Sequence, residues 1–281
     1  LLRPEGGGRR VNSGAGVREP FPERAILFPY ITGVSAGAAN ALSYISGQTM
    51  RSRQIIEHYV GNPEYVSRRN LLRKGSMFGF DYIFQTIPEQ HIRFDWDAYN
   101  AQETRFLTGA MNCADGKTVW FEKDEITPPF SATVASCSVP ILTKVQHFKG
   151  YDLLDGGTSD PIPIEKSIAD GNRFHVVVLT RNAGYRKEPF GHAGFLKAVF
   201  RKYPAVAEAM LCRHEIYNRQ LALCEQLEKE GRAAIIRPLE PLRVGRTSAD
   251  VPTLLALHDE GLREGRAALP RILEALQKSV I

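Results

Sequence analysis

A short apolar run, Tyr30-Ile31-Thr32, passes straight into Gly33-Val34-Ser35-Ala36-Gly37, and an Ala- and Leu-rich stretch then continues to Ile45 with Gly47 just beyond. The run has strand character, the stretch has helix character, and the two glycines leave only a sharp turn between them. Strands and helices go on alternating further along the chain, which predicts a layered α/β sheet. The turn itself carries Ser35, flanked by Val34 and Ala36, which bring no polar competition. With no side chain at Gly33 or Gly37, strand and helix can approach closely around that serine, and the helix N-terminus favours negative charge developing beside it.

A serine hydroxyl is a weak nucleophile at neutral pH, so a catalytic serine must be held in an unusual geometry beside a base. Asp155-Gly156-Gly157 supplies a candidate base, because Leu153-Leu154 reads as the end of an apolar strand that delivers Asp155 at its carboxyl edge, where open α/β sheets build their sites. Near the start, Gly6-Gly7-Gly8 offers adjacent backbone amides that can converge on a developing oxyanion, with Arg10 steadying the loop or meeting a phosphate. Each motif has an inert counterpart: a tight glycine turn, an ordinary Asp-Gly turn and a glycine-rich terminus. A dinucleotide fingerprint would need glycine at position 11, where Val11 stands, and the lysine of a phosphate-binding loop is missing.

At 281 residues, with 43% hydrophobic and 24% charged residues, the chain has the composition of a globular protein near the size at which one domain gives way to two. The expected division is a catalytic domain over residues 1–180 and a mainly helical extension over 181–281 packed on it. Cys113, Cys137, Cys212 and Cys224 show no C-x-x-C pairing, which favours a reducing cytoplasm. The best apolar run, Val176-Val177-Val178-Leu179, is strand-sized, far short of a membrane span. No secretory signal is visible, and the first residue, Leu1, leaves a removed leader open. The net charge of +5 mildly favours anionic surfaces, but the bases are scattered and carry no nucleic-acid motif.

Further elements follow from pattern. Leu1-Leu2 closes a clipped first strand, since Pro4 lacks an N–H, and Gly14, Gly16, Pro20 and Pro22 encode the first crossover helix poorly. Arg68, Arg69, Arg73 and Lys74 precede Met77, Phe78, Phe80, Tyr82, Ile83 and Phe84. This basic-then-aromatic stretch reads either as ordinary packing or as a lipid-facing lid, with peripheral membrane contact. A β-hairpin is predicted from Phe106 to Phe121 around Asp115-Gly116, and a small-residue helix from Ser131 to Ser138. Helix Ile164 to Ala169 and strand His175 to Thr180 make a βαβ unit after Asp155. A long helix spans Val206 to Glu230, a strand Ala233 to Arg237, and one or two helices Thr253 to Gln277, interrupted near Pro270.

Glu5-Gly6-Gly7-Gly8-Arg9-Arg10, Gly33-Val34-Ser35-Ala36-Gly37, Ala135-Ser136-Cys137-Ser138-Val139-Pro140 and Asp155-Gly156-Gly157 together resemble the four blocks of the patatin-like phospholipases, with the bacterial members closest in the stretches after Phe28 and after Asp155. The resemblance implies a three-layer α/β/α fold with a mostly parallel central sheet and a helical C-terminal extension. It also implies hydrolysis of lipid acyl esters by a Ser-Asp dyad without histidine. Carried over by motif, Ser35 is the nucleophile, Asp155 the base and Gly6, Gly7 and Gly8 the oxyanion loop, with Arg10, Gly33, Gly37, Gly156 and Gly157 in support. No cofactor is implied. The family's first block usually ends Arg-Gly, whereas Val11 follows Arg10 here, a β-branched residue that resists positive φ.

Two alternatives stand beside this. Ser35, Asp155 and His258 occur in the chain order of an α/β-hydrolase triad, although His258 falls within a helical pattern. A chain that keeps the fold but has a degraded oxyanion loop would bind lipid without catalysis. Metal chemistry is disfavoured, since His58, His91, His147, His175, His192 and His214 show no ligand spacing. The sequence does not set the oligomeric state.

Overall fold

Val176-Val177-Val178 and Ala233-Ala234-Ile235-Ile236 have no polar face, so strands made from them need cover on both sides. The computed structural model describes residues 2–4, 26–241 and 250–278, and in it both segments belong to one eight-stranded sheet. The strands are β1 (Leu2–Pro4), β2 (Tyr30–Val34), β3 (Arg105–Asn112), β4 (Thr118–Glu122), β5 (Gln146–Phe148), β6 (Tyr151–Asp155), β7 (His175–Val178) and β8 (Ala233–Ile236). The helices are α1 (Ala36–Ile45), α2 (Arg51–His58), α3 (Arg68–Lys74), α4 (Trp96–Ala101), α5 (Ser131–Ser136), α6 (Ile164–Ala169), α7 (Ala193–Val199), α8 (Pro204–Lys229) and α9 (Val251–Lys278). A π-helical segment, Tyr82–His91, lies between α3 and α4.

The strand order is β5-β6-β3-β2-β1-β7-β8, with β4 paired to β3 off this path. Parallel pairings join β3, β2, β1, β7 and β8, and antiparallel ones add β4, β6 and β5. Alternation along the strands splits the core into layers. Val176, Val178, Ala234 and Ile236 pack with Ala38, Ala41, Leu269 and Ile272 of α1 and α9 on one face. Val177, Leu179, Ala233 and Ile235 pack with Tyr217, Leu221 and Leu227 of α8 on the other. The result is the expected three-layer α/β/α fold with a mostly parallel sheet and helices in its C-terminal part. That part also contributes β8, which extends the sheet through its pairing with β7.

Several expectations are corrected. β6 ends at Asp155 and α6 and β7 follow it, but β6 runs antiparallel to β3 while β7 is parallel to the strands beside it, so they do not form a βαβ unit. Pro270 does not interrupt α9, because buried Ala268, Leu269 and Ile272 anchor the helix on both sides of it and outweigh one lost backbone bond. Pro4 ends β1 in register with Val178, a position where a missing donor removes a single ladder bond. The aromatic stretch divides: Tyr82, Phe84 and Ile87 are buried, whereas Phe78 lines a cleft. The crossover expected between Val11 and Glu23 lies outside the described residues. Among the described residues, no helix is long and apolar enough to cross a membrane.

Candidate active site

The site follows from how β3 is shared. Along one edge its first part pairs in parallel with β2, ending with Val34 opposite Gly109, and its last part pairs antiparallel with β6, ending with Asp155 opposite Ala110. β2 and β6 therefore run toward each other and stop at adjacent residues of the same strand. Ser35 is the residue after Val34, so 120 positions of sequence separation collapse into one hydrogen bond: Ser35 Oγ donates to Asp155 Oδ2 at 2.7 Å. Both side chains are buried.

Each partner is held by its neighbours. Ser35 has φ 55° and ψ −139°, a conformation sparsely populated by residues with a side chain, and its carbonyl accepts the first amides of α1 from Ala38 and Ala39. The turn closes tightly because a Cβ on Gly33 would stand 2.8 Å from the backbone of Ala38. The Ser35 N–H donates to Ser136 Oγ at 2.7 Å, and that hydroxyl donates to the Gly109 carbonyl at 2.6 Å, pinning the turn to β3. On the other side, Asp155 Oδ1 accepts from the Gly157 N–H at 2.7 Å, so the carboxylate is fixed at both oxygens. Its own N–H donates to the Ser138 carbonyl at 2.8 Å. Arg213 on α8 donates through Nε to the Gly157 carbonyl at 2.5 Å.

Ser35 and Asp155 line a cleft of about 210 Å³. Phe78, Pro140 and Leu142 form an apolar side, Met210, Arg213 and His214 come from α8, and the Lys187–Phe190 segment completes the rim. Cys137 also lies near the carboxylate, but burial and then the Asp155 charge push its thiol well above the ordinary value, so it stays protonated and weakly nucleophilic.

Of the residues singled out in the sequence, Ser35, Asp155, Gly33, Gly156 and Gly157 converge here, and Gly37 lies buried in the first turn of α1. Gly6, Gly7, Gly8 and Arg10 lie outside the described residues. His258 is not among the cleft-lining residues. It is fully buried on α9 with its Nδ1 3.6 Å from Asp259 Oδ1, and the direct contact between Ser35 and Asp155 leaves no place for an imidazole between them. Among the described residues, no group of three His, Cys, Asp or Glu side chains is placed to hold a metal ion. Three residues at the site were given no individual role by the sequence: Ser136, which stood only as a member of a motif block, Gly109 and Arg213. The first two had a usable signal, a serine within the block that ends at Pro140 and a glycine inside an apolar strand.

Fold and geometry define a class: α/β/α proteins that bury a serine hydroxyl directly against a carboxylate at the floor of a cleft. Residues 5–168 match the family model described as Patatin-like phospholipase, and the chain belongs to that family. Residues 203–277 match a second model, DUF6363, described as a domain of unknown function. The protein YjjU of Escherichia coli strain K12 is 27% identical over 192 residues, covering 63% of this chain and 50% of YjjU, so the chain spans half the length of that relative. VipD from Legionella pneumophila superposes with a TM-score of 0.46 at 13% identity, covering 96% of this chain and 66% of VipD.

Proposed function

We propose that this protein is a serine-dependent lipid acyl hydrolase in which Ser35 and Asp155 act as a catalytic dyad. The observation that carries the reading is the hydrogen bond of 2.7 Å between the Ser35 hydroxyl and a carboxylate whose other oxygen is already occupied by Gly157. Family membership supports lipid acyl esters as the general class of substrate.

As Ser35 Oγ attacks the ester carbonyl carbon, Asp155 takes the hydroxyl proton. The tetrahedral intermediate collapses, the C–O bond to the alcohol breaks, and the departing alkoxide takes the proton from Asp155. Water then attacks the acyl-Ser35 ester with Asp155 again as base, releasing fatty acid and restoring the hydroxyl. The oxyanion needs converging amides, and we assign them to Gly6, Gly7 and Gly8. In support, β1 is parallel to β2 with Leu2 opposite Ile31, so its carboxyl end points to the end of the sheet that carries Ser35. The four cysteines carry no C-x-x-C pairing in the sequence, which supports a reducing compartment such as the cytoplasm.

The test is hydrolysis of a short-chain p-nitrophenyl ester together with covalent labelling by a fluorophosphonate. Ser35→Ala is expected to abolish both, and Asp155→Asn to lower kcat by at least about 10³-fold while the fold is kept. A folded wild-type protein that neither labels nor hydrolyses would overturn the proposal in favour of lipid binding without catalysis.

A further inference from the structure

α3 reads Arg68-Arg69-Asn70-Leu71-Leu72-Arg73-Lys74, and its orientation is fixed from beneath. Ser67 Oγ accepts from the Asn70 N–H at 3.1 Å, and the buried Asn70 amide donates to the carbonyls of Pro63 and Glu64, both at 3.1 Å. Anchored on that side, the helix turns Leu72 outward with 87% of its surface exposed, the largest exposure of any described large apolar residue. Arg68 and Arg69 precede Leu72 by four and three positions, so one helical turn sets them on its face, and Arg73 follows it directly. All three arginines are exposed, and among the described residues no carboxylate lies within ion-pair distance of them. Lys74 alone on this helix is paired, with Asp81 at 3.4 Å.

The position of α3 matters as much as its charge. Ser67 N–H donates to the Met77 carbonyl at 3.0 Å, and Met77 N–H donates to the Leu142 carbonyl at 2.8 Å, which ties the helix to the loop that carries Pro140 and Leu142. Phe78, Pro140 and Leu142 are the apolar side of the cleft that holds Ser35, and Ile141, between the last two, is exposed. The helix that carries Leu72 and its unpaired cations is therefore joined by backbone hydrogen bonds to the segments that form the apolar side of the cleft. An anionic bilayer matches the three unpaired arginines and the leucine beside them at once. Its phosphates meet the arginines, and its headgroup boundary takes up Leu72.

We propose that α3, with Ile141, is the docking surface of this protein for an anionic lipid bilayer, and that docking presents the open cleft to the membrane. The partner is the bilayer surface, with a net negative charge, and not a soluble anion or an acidic protein. The inference goes beyond the proposed hydrolysis, and its test needs no turnover.

The experiment is co-sedimentation of the Ser35→Ala protein with vesicles of phosphatidylcholine alone or mixed with phosphatidylglycerol, at low and high salt. Binding is expected only to the mixed vesicles and is expected to weaken with salt. Each basic residue near such a surface contributes about a fivefold factor in partitioning, so the triple variant Arg68→Gln, Arg69→Gln, Arg73→Gln should bind on the order of 100-fold more weakly. Leu72→Ser should weaken binding by about tenfold. With Ser35 intact, both variants should keep the wild-type rate on a soluble short-chain ester, which also shows that they fold. Equal binding to neutral vesicles, or undiminished binding by the triple variant, would overturn the docking surface and leave the dyad untouched. An inactive wild-type protein that still binds mixed vesicles through these residues would overturn the dyad alone.

Discussion

Replacing Gly156 by alanine puts the smallest side chain where the structure has least room. Its Cβ would lie 2.1 Å from the Gly109 carbonyl oxygen, 2.7 Å from the Gly109 carbonyl carbon and 3.1 Å from Val34 Cγ1. The first two belong to the backbone of β3, which is clamped between β2 and β4 and cannot yield as a side-chain tip would. Relief to an ordinary contact requires the Asp155-Gly156-Gly157 turn to retreat by about 1 Å. That turn carries the Asp155 carboxylate, so the retreat stretches a hydrogen bond of 2.7 Å to Ser35 past the range in which a proton is shared. Overpacking of this kind costs about 1–3 kcal/mol, seen as a fall of several degrees in Tm, and a displacement of about 1 Å at reacting groups costs about 10²-fold in rate. The loss should fall mainly on kcat, because the apolar side of the cleft is formed by Phe78, Pro140 and Leu142, outside this turn. Thermal melting and hydrolysis of a short-chain p-nitrophenyl ester measure both. Gly194→Ala is the control, since a Cβ at that position meets nothing within 4 Å. A Gly156→Ala protein with wild-type kcat and Tm would refute the claim that the two strand ends are held in contact by this missing side chain.

Two other perturbations probe how the site and sheet are held. Ser136→Ala leaves the Ser35 N–H and the Gly109 carbonyl without the hydroxyl that joins them. Urea unfolding should show a loss on the order of 2 kcal/mol as a lower midpoint at unchanged slope, with a decrease in kcat. Asp170 is partly buried, which opposes its charge. Hydrogen bonds from Lys166 and Tyr30 and the nearby charges of Lys166 and Arg105 outweigh that and hold its carboxyl below the ordinary aspartate value of 3.8. Because the folded state favours the ionised form, its contribution is complete above that value and is lost as the pH falls through the lower folded value. The Tm difference between wild type and Asp170→Asn should therefore be full at neutral pH and shrink on strong acidification, and a gap that widens in acid would contradict the assignment.

The parts of this site that the sequence made legible are those whose cause is local. Ser35 is readable because the glycines that let strand and helix close around it sit two residues away on either side. Asp155 is readable as a motif but not in its geometry, since a strand before the DGG turn and a helix and strand after it carry no sign of direction. Only the pairing of Asp155 with Ala110 shows that β6 comes back against β3. Arg213 left no trace of a role, because one arginine among the polar positions of the 26-residue helix α8 looks like any other, and its meaning comes from the Gly157 carbonyl that the fold brings to it. Pro270 misled for the converse reason. Its local cost is real, but the buried residues around it decide whether the helix continues.

Gly109 joins these threads. It faces Val34 across the ladder, its carbonyl receives the Ser136 hydroxyl, and the space beside that carbonyl is what Gly156 occupies. A Cβ on Gly109 itself would meet the Trp120 ring at 2.7 Å, so the residue admits neighbours on more than one side. The Ser35 turn, its pinning serine and the turn that carries the carboxylate are thus all referred to one position on β3. Ser35 and Asp155 are consequently positioned from neighbouring residues of one strand, with no third residue between them. A direct hydroxyl-to-carboxylate contact can be maintained this way where a triad would need an imidazole positioned from another loop. The glycine inside an apolar strand is the sequence signal for that arrangement, because close approach of another backbone is one of the few reasons for a strand to give up a packing side chain.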